Sequence, residues 1–174
     1  GPEPGSARGT IVVFEDPSCP LCGKFEREIV PRLRSNLVDP GDLSIVVRSY
    51  PVVYAWGKPA TRALEATFDA DAAAFWQLHG HYFAEQSAFR SAGADAVYGR
   101  TETFLDAETD VDAAAVVGAA RDGEYDAAVQ TDLDAGSAAG ARATPALFYF
   151  RDGRYLTRTT GSISYATITS ILQL

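Results

Sequence analysis

Cys19 and Cys22, spaced C-x-x-C, are the only two cysteines in a chain of 174 residues. A four-thiolate zinc site needs two such pairs, so a single pair points to redox chemistry, the two sulfurs passing between dithiol and disulfide. A static bridge over so short a loop would stabilise little, because the benefit of a disulfide grows with the loop it closes. Residues 10–14 are a short β-rich apolar run, Glu15-Asp16-Pro17-Ser18 is a turn, and a helical pattern starts at Pro20. The pair therefore opens a helix directly behind a buried strand. Free N–H groups and aligned peptide dipoles at a helix N-terminus stabilise an anion. Cys19 is expected there as a partly exposed thiolate, its pKa pulled below the free value of about 8.5. Cys22, one turn on and facing inward, is placed to close a disulfide with Cys19 and to attack a mixed disulfide, releasing the substrate.

Little else in the sequence invites chemistry. His79-Gly80-His81 puts two imidazoles two residues apart, on different faces of a helix and among aromatics, which predicts packing and no metal site. Val52, Val53, Tyr54 and Trp56 form either an apolar rim for unfolded substrates or a cap on the core. There is no G-x-G-x-x-G, P-loop or G-x-S-x-G, and no cofactor is expected. A net charge of -8, from 23 acids against 15 bases and with no basic stripe, argues against a nucleic-acid partner. With 47% hydrophobic and 22% charged residues the composition is that of an ordinary globular chain, and no apolar run is long enough to span a membrane.

The elements around the pair follow from periodicity. Leu21, Phe25, Ile29 and Leu33 recur every four residues, predicting a helix from Pro20 to about Leu37 with a kink at Pro31. A turn at 39–42 and a strand at 43–48 complete a βαβ unit. Residues 57–139 read as almost wholly helical, with helices at 99–107, 111–121 and 123–137, punctuated by Gly93, Gly99 and Gly123 and capped by Asp110 and Asp122. After a loop at 140–144 come Pro145, a strand at 146–150, a hairpin turn at Asp152-Gly153, a strand at 155–159 and a helix within 162–173. The fold class is α/β, ordered β-α-β … β-β-α around an inserted all-helical subdomain. The expected division is a disordered tail or cloning remnant over 1–9, a discontinuous domain of 10–56 and 140–174, and the helical insertion over 57–139.

The segment Phe14-Glu15-Asp16-Pro17-Ser18-Cys19-Pro20-Leu21-Cys22, with Phe25 following, resembles the active-site segment of DsbA-like thiol–disulfide oxidoreductases. Tyr50-Pro51 is similar to that family's aromatic-Pro step. Phe75-Trp76-Gln77-Leu78-His79 with Phe83 is similar to its helical-insertion signature, and Thr144-Pro145 to its cis-proline loop. The likeness runs over residues 10–174. It implies a thioredoxin-like fold and a protein thiol–disulfide oxidoreductase whose catalytic residues are Cys19 and Cys22, modulated by Pro20 and Leu21. It further implies a cis Pro145 close to Cys19, freeing the Thr144 backbone to pair with an extended substrate segment. The implied partners are unfolded or reduced exported proteins and a membrane-embedded protein that reoxidises the pair. The compartment would be extracytoplasmic and the protein a monomer.

Two departures tune that expectation. Leu21 stands where the most oxidising relatives carry His, so the Cys19 thiolate should be less stabilised and the disulfide a moderate oxidant. Val13 stands where many relatives bury an acid that helps deprotonate the second cysteine. Glu15 or Asp16 could substitute, or both could serve turn geometry and solvent exposure. Disulfide donation to exported proteins through a mixed disulfide is thus the leading function. The alternatives are a reductase or isomerase of the same fold, or a metal-binding or holdase module.

Overall fold

A computed structural model describes residues 7–174. Of the expected N-terminal tail, residues 1–6 lie outside the described residues. Ala7 is buried, Arg8 accepts a backbone bond from Asp152, and Gly9 already belongs to the first strand. Four strands form one mixed sheet in the order β2-β1-β3-β4. β1 (Gly9–Glu15) pairs parallel with β2 (Leu43–Ser49) and antiparallel with β3 (Ala146–Arg151), which continues antiparallel into β4 (Arg154–Thr160). The hairpin between β3 and β4 turns on Asp152 and Gly153, both at positive φ, as a two-residue type I′ turn requires.

Period-two alternation explains the layering. Ile11 and Val13 of β1, with Leu147 and Tyr149 of β3, enter one core, against Phe25, Leu33, Ile168 and Leu172. Those partners come from α1 (Pro20–Glu28), α2 (Val30–Leu33) and a late helix (Tyr165–Leu172). Phe14 and Phe148 face the other side, with Tyr50 and Ala141. A third core lies wholly among the helices that follow β2, built on Trp56, Leu64, Leu78, Tyr82 and Phe89.

Those helices are α3 (Gly57–Ala70), α4 (Ala72–Ala84), α5 (Gln86–Phe89), α6 (Ala94–Glu108), α7 (Ala113–Asp122) and α8 (Asp126–Ala139), and Tyr165–Leu172 is α9. The first expected helix is broken rather than kinked. α1 ends at Glu28, α2 restarts at Val30 with Pro31 in its first turn, and a π-helical turn, Arg34–Val38, finishes the segment. Pro31 lacks an N–H, so it fits the first turn of a new helix better than the interior of an old one. Gly99 does not punctuate, since it lies inside α6, which starts at Ala94 behind Gly93 as its N-cap residue. The caps are Asp71 for α4 and Asp112 for α7, in place of Asp110 and Asp122, while Gly123 ends α7 at positive φ. An Asp three residues before a free N–H caps it, and Asp122 is instead the last residue of α7.

Candidate active site

β1 delivers Glu15 and Asp16 to the end of the sheet, and Asp16 organises the turn that follows. It is wholly buried, and its carboxylate accepts from Ser18 N at 2.7 Å, Ser18 Oγ at 2.6 Å, Val52 N at 2.8 Å and Val53 N at 2.7 Å. The segment after β2 is thereby tied to the segment carrying the cysteines. Burial pushes the Asp16 carboxyl up, and the four donors oppose it. Gly57 is glycine because a Cβ there would run into the Asp16 carboxylate. Of the two readings of Asp16, turn geometry is the one the structure takes.

Cys19 is the N-cap of α1 and Pro20 its first residue, where the missing N–H costs nothing. The peptide bond between Thr144 and Pro145 is cis, and the Cys19 thiol donates to the Thr144 carbonyl at 3.3 Å. Both cysteines are free thiols, so this is the dithiol state. Cys19 is 4% exposed and Cys22 fully buried, with Phe83 of α4 packed on both. The expected partial exposure of Cys19 is therefore corrected, because the helical block supplies a cover the local sequence does not contain. The exposed member of the motif is Leu21, 44% accessible.

The two sulfurs differ in acidity. The Cys19 thiol is lowered to about 6 by a hydrogen bond from the Cys22 thiol. The N–H groups of Cys22 and Leu21 assist, against the cost of burial. The Cys22 thiol is pushed far up, chiefly by burial, then by its hydrogen bond to Cys19 and by the charges of Glu15 and Cys19.

Glu15 is buried rather than facing solvent. Its Oε2 lies 3.3 Å from His79 Nε2, and His79 Nδ1 is 3.9 Å from Glu26 Oε2. Burial raises both carboxyls to about 8, Glu15 with added repulsion from Cys19 and Glu26 from Glu15, and burial lowers the imidazole, favouring its neutral form. One oxygen or nitrogen from each of the three lies within 4.8 Å of the others, so they could also converge on a cation. His79 packs on Phe75, Trp76 and Phe83 as the aromatic pattern predicts, while His81 stacks on Phe104 at 4.1 Å on another face.

The group after β2 divides. Trp56 is buried in the helical core, whereas Val52, Val53 and Tyr54 stand exposed. Sequence reasoning missed Glu26 and Gln86. The signal for Glu26 was its position four residues after Cys22, one turn along the same helix. Gln86 carried none, since it arrives through tertiary packing to donate 2.8 Å bonds to the carbonyls of Pro17 and Cys19.

Residues 5–173 match the family model described as thioredoxin. A Na(+)/H(+) antiporter, NhaA 3, of Salinispora tropica is 35% identical over 91 residues, 51% of this chain and 13% of that protein. Disulfide bond formation protein D of Bacillus subtilis is 32% identical over 80 residues, 44% of this chain and 35% of that protein. The chain thus matches well under two thirds of either relative's length. Among solved structures, oxidised BdbD from Bacillus subtilis superposes with a TM-score of 0.79 at 21% identity, covering 96% of this chain and 89% of that one.

Proposed function

The chain belongs to the thioredoxin family, and we propose that it is a thiol–disulfide oxidoreductase that donates the Cys19–Cys22 disulfide to exported proteins. The observation that carries this reading is the split between the two sulfurs. An acidified thiol caps a helix beside the cis-proline loop, and a suppressed one sits behind it. The relative named for disulfide bond formation supports the same chemistry.

In the disulfide form a substrate thiolate attacks Cys19 Sγ. The bond to Cys22 breaks, and Cys22 leaves and takes up a proton, because its burial disfavours the anion. Glu15, protonated near neutral pH and electrostatically felt by Cys22, is placed to supply that proton and to recover it on reoxidation. The second thiolate of the substrate then attacks its own sulfur in the mixed disulfide and expels Cys19 as the stabilised thiolate. Two electrons pass from substrate to enzyme. Attack by Cys22 on the mixed disulfide would only return the starting disulfide, so its part is leaving group and safeguard against trapping, not product release. The oxidised Cys19 sulfur has no hydrogen to give Thr144, which leaves that carbonyl free to accept a substrate N–H. Thr144 and Pro145 accordingly bind substrate, with Leu21, Val52, Val53 and Tyr54 as the apolar rim around the opening.

Reoxidation falls to a membrane-embedded partner in an extracytoplasmic compartment, and the protein acts as a monomer. No helix among the described residues is long and apolar enough to cross a membrane. The deciding experiment is equilibration of the pair against glutathione redox buffers. A potential of about -180 mV or higher agrees with disulfide donation, and one near about -270 mV makes the protein a reductase and ends the proposal. Cys19→Ser abolishes oxidation of reduced client protein, while Cys22→Ser, with Cys19 first converted to its mixed disulfide by oxidised glutathione, exchanges onto a single-cysteine client and accumulates the enzyme–client mixed disulfide as glutathione leaves, visible by mass spectrometry.

A further inference from the structure

Four segments border the cysteine pair. Asp16 ties 50–58 to 17–21 through the N–H groups of Val52, Val53 and Ser18, and Cys19 bonds Thr144 in 140–145. In 160–164, Gly161 donates to the Pro145 carbonyl at 2.9 Å, with Leu21 beside it. In a chain of net charge -8, none of these four segments carries an acid. Their charged residues are Lys58 and Arg142. Lys58 already faces an acid, since Arg62 and, after it, Lys58 hold the Asp126 carboxyl below its ordinary value. Arg142 is exposed and forms no ion pair among the described residues.

A second arginine joins it. Arg158 lies in β4, two residues before Thr160, and both guanidiniums meet at the C-terminal end of α8. Arg142 Nη1 donates to the carbonyls of Ser137 at 3.4 Å and Ala141 at 3.2 Å, and Arg158 Nη1 to those of Ala139 at 2.9 Å and Gly140 at 2.6 Å. Gly140, at positive φ, makes room for the second: a Cβ there would stand 2.1 Å from Arg158 Nη1. Cations at a helix C-terminus are ordinary caps. Each of these, however, uses one nitrogen of a group that offers five donors, and Arg158, like Arg142, is exposed and has no carboxylate partner among the described residues. Arg48 and Arg151 differ, since Asp132 and Asp152 answer them.

We propose that the opening at Cys19 selects clients that carry an acidic side chain close to the reacting cysteine, the carboxylate being held by Arg142 and Arg158. This rests on the reading above, in which an extended client segment pairs with Thr144. Such a segment advances about 3.3 Å per residue. A cysteine at Thr144 therefore sets neighbours about two to four residues away beside the end of α8, to which Arg142 is tied. A carboxylate takes the free donors of a guanidinium as a charge-assisted pair. A cationic neighbour meets two arginines without counter-charge, so the same pair that admits acid turns base away.

The test is a single turnover of the full chain, with Cys19 and Cys22 oxidised, against two-cysteine peptides whose first cysteine is flanked by aspartate, asparagine or lysine. Each rate of peptide disulfide formation is divided by that peptide's rate with 2-hydroxyethyl disulfide, a neutral oxidant, so that the effect of the flanking charge on the peptide's own thiol cancels. The aspartate peptide is expected to react about fivefold faster than the asparagine one, the worth of a good exposed ion pair, and the lysine peptide slowest. In Arg142→Gln and in Arg158→Gln the ratio falls towards one, and either variant suffices if the other does not fold. Arg154→Gln, which removes the same charge from the far end of β4, keeps the ratio. Equal rates for aspartate and asparagine overturn the proposal and leave the oxidoreductase reading standing. An equal loss of preference in Arg154→Gln also overturns it, since net charge alone would then be acting. Failure to oxidise any of the peptides ends both.

Discussion

Cys19 and Cys22 are three residues apart and ionise in opposite directions, which follows from where one helical turn places each sulfur. The first accepts a hydrogen bond from the second and meets the N–H groups at the helix start, and the second is buried in the core and gives up its proton to that same bond only at a cost. The pH dependence of stability follows from the same groups. Glu15 and Glu26 have folded-state values of about 8, raised from 4.5. Their contribution is fully present below about 4.5 and is lost as pH climbs through about 8. Cys19 has the opposite sign: in the dithiol its value falls from 9.0 to about 6, so its contribution is present above 9.0 and lost as pH drops through about 6. The disulfide form loses the Cys19 effect and keeps that of the two carboxyls, opposed below pH 6.5 by His79, whose value burial lowers from 6.5 so that folding is favoured as pH rises to that point. Its urea midpoint is expected to fall between pH 5 and pH 8.5, the dithiol's to fall less, and Glu15→Gln to flatten the oxidised profile. An oxidised midpoint that rises over this interval would show that Glu15 and Glu26 are ionised throughout. At this scale the cysteines were legible because their chemistry is carried by type and spacing. Glu15 was only half legible: its sequence neighbours are turn residues, and its burial is imposed by α4.

Among the elements, the four strands were legible because apolar runs and turn residues are local signals, and Asp152-Gly153 forms the hairpin it predicts. Helix boundaries were less so, because glycine has two opposite uses that composition does not separate. Gly136 in α8 lets the helix approach the sheet: a Cβ there would stand 2.7 Å from Tyr50 Cε2 and 3.0 Å from Phe14 Cδ1. Gly99 lies mid-helix in α6 with nothing within 4 Å of where a Cβ would be. The two should therefore respond to alanine with opposite signs. Gly136→Ala forces the aromatic pair or the helix to shift and costs about 1–3 kcal/mol. Gly99→Ala removes backbone freedom from the unfolded chain and gains about 0.5–1 kcal/mol. Urea denaturation with unchanged m-values measures both. A neutral Gly136→Ala would mean that α8 is free to move away from Tyr50.

Over the whole molecule, the helical block and the sheet domain meet at the cysteine turn, and the contact is polar and specific. Arg27 of α1 donates to the Phe83 carbonyl, His79 reaches Glu15, and Gln86 holds the carbonyls of Pro17 and Cys19 together. The insertion was legible as a run of helical periodicity between two halves of a sheet. Its role at the site was not, since Gln86 is separated from Pro17 by 69 residues and nothing in either segment announces the other. If the block only covered the core, removing this bond pair would change stability alone. If it also holds the turn that aims N–H groups at Cys19, then Gln86→Ala loosens that turn, the thiolate is less stabilised, and the disulfide becomes less oxidising. The expected shift is a drop in potential on the order of 10–30 mV together with a higher Cys19 pKa, read by thiolate absorbance. The control is Arg100→Ala, which also removes a side-chain bond to a backbone carbonyl of the block, that of Ala88, but one remote in sequence from the cysteine turn. Equal potentials in the two variants would reduce the insertion to a lid, and a drop confined to Gln86→Ala would make it part of the redox machinery.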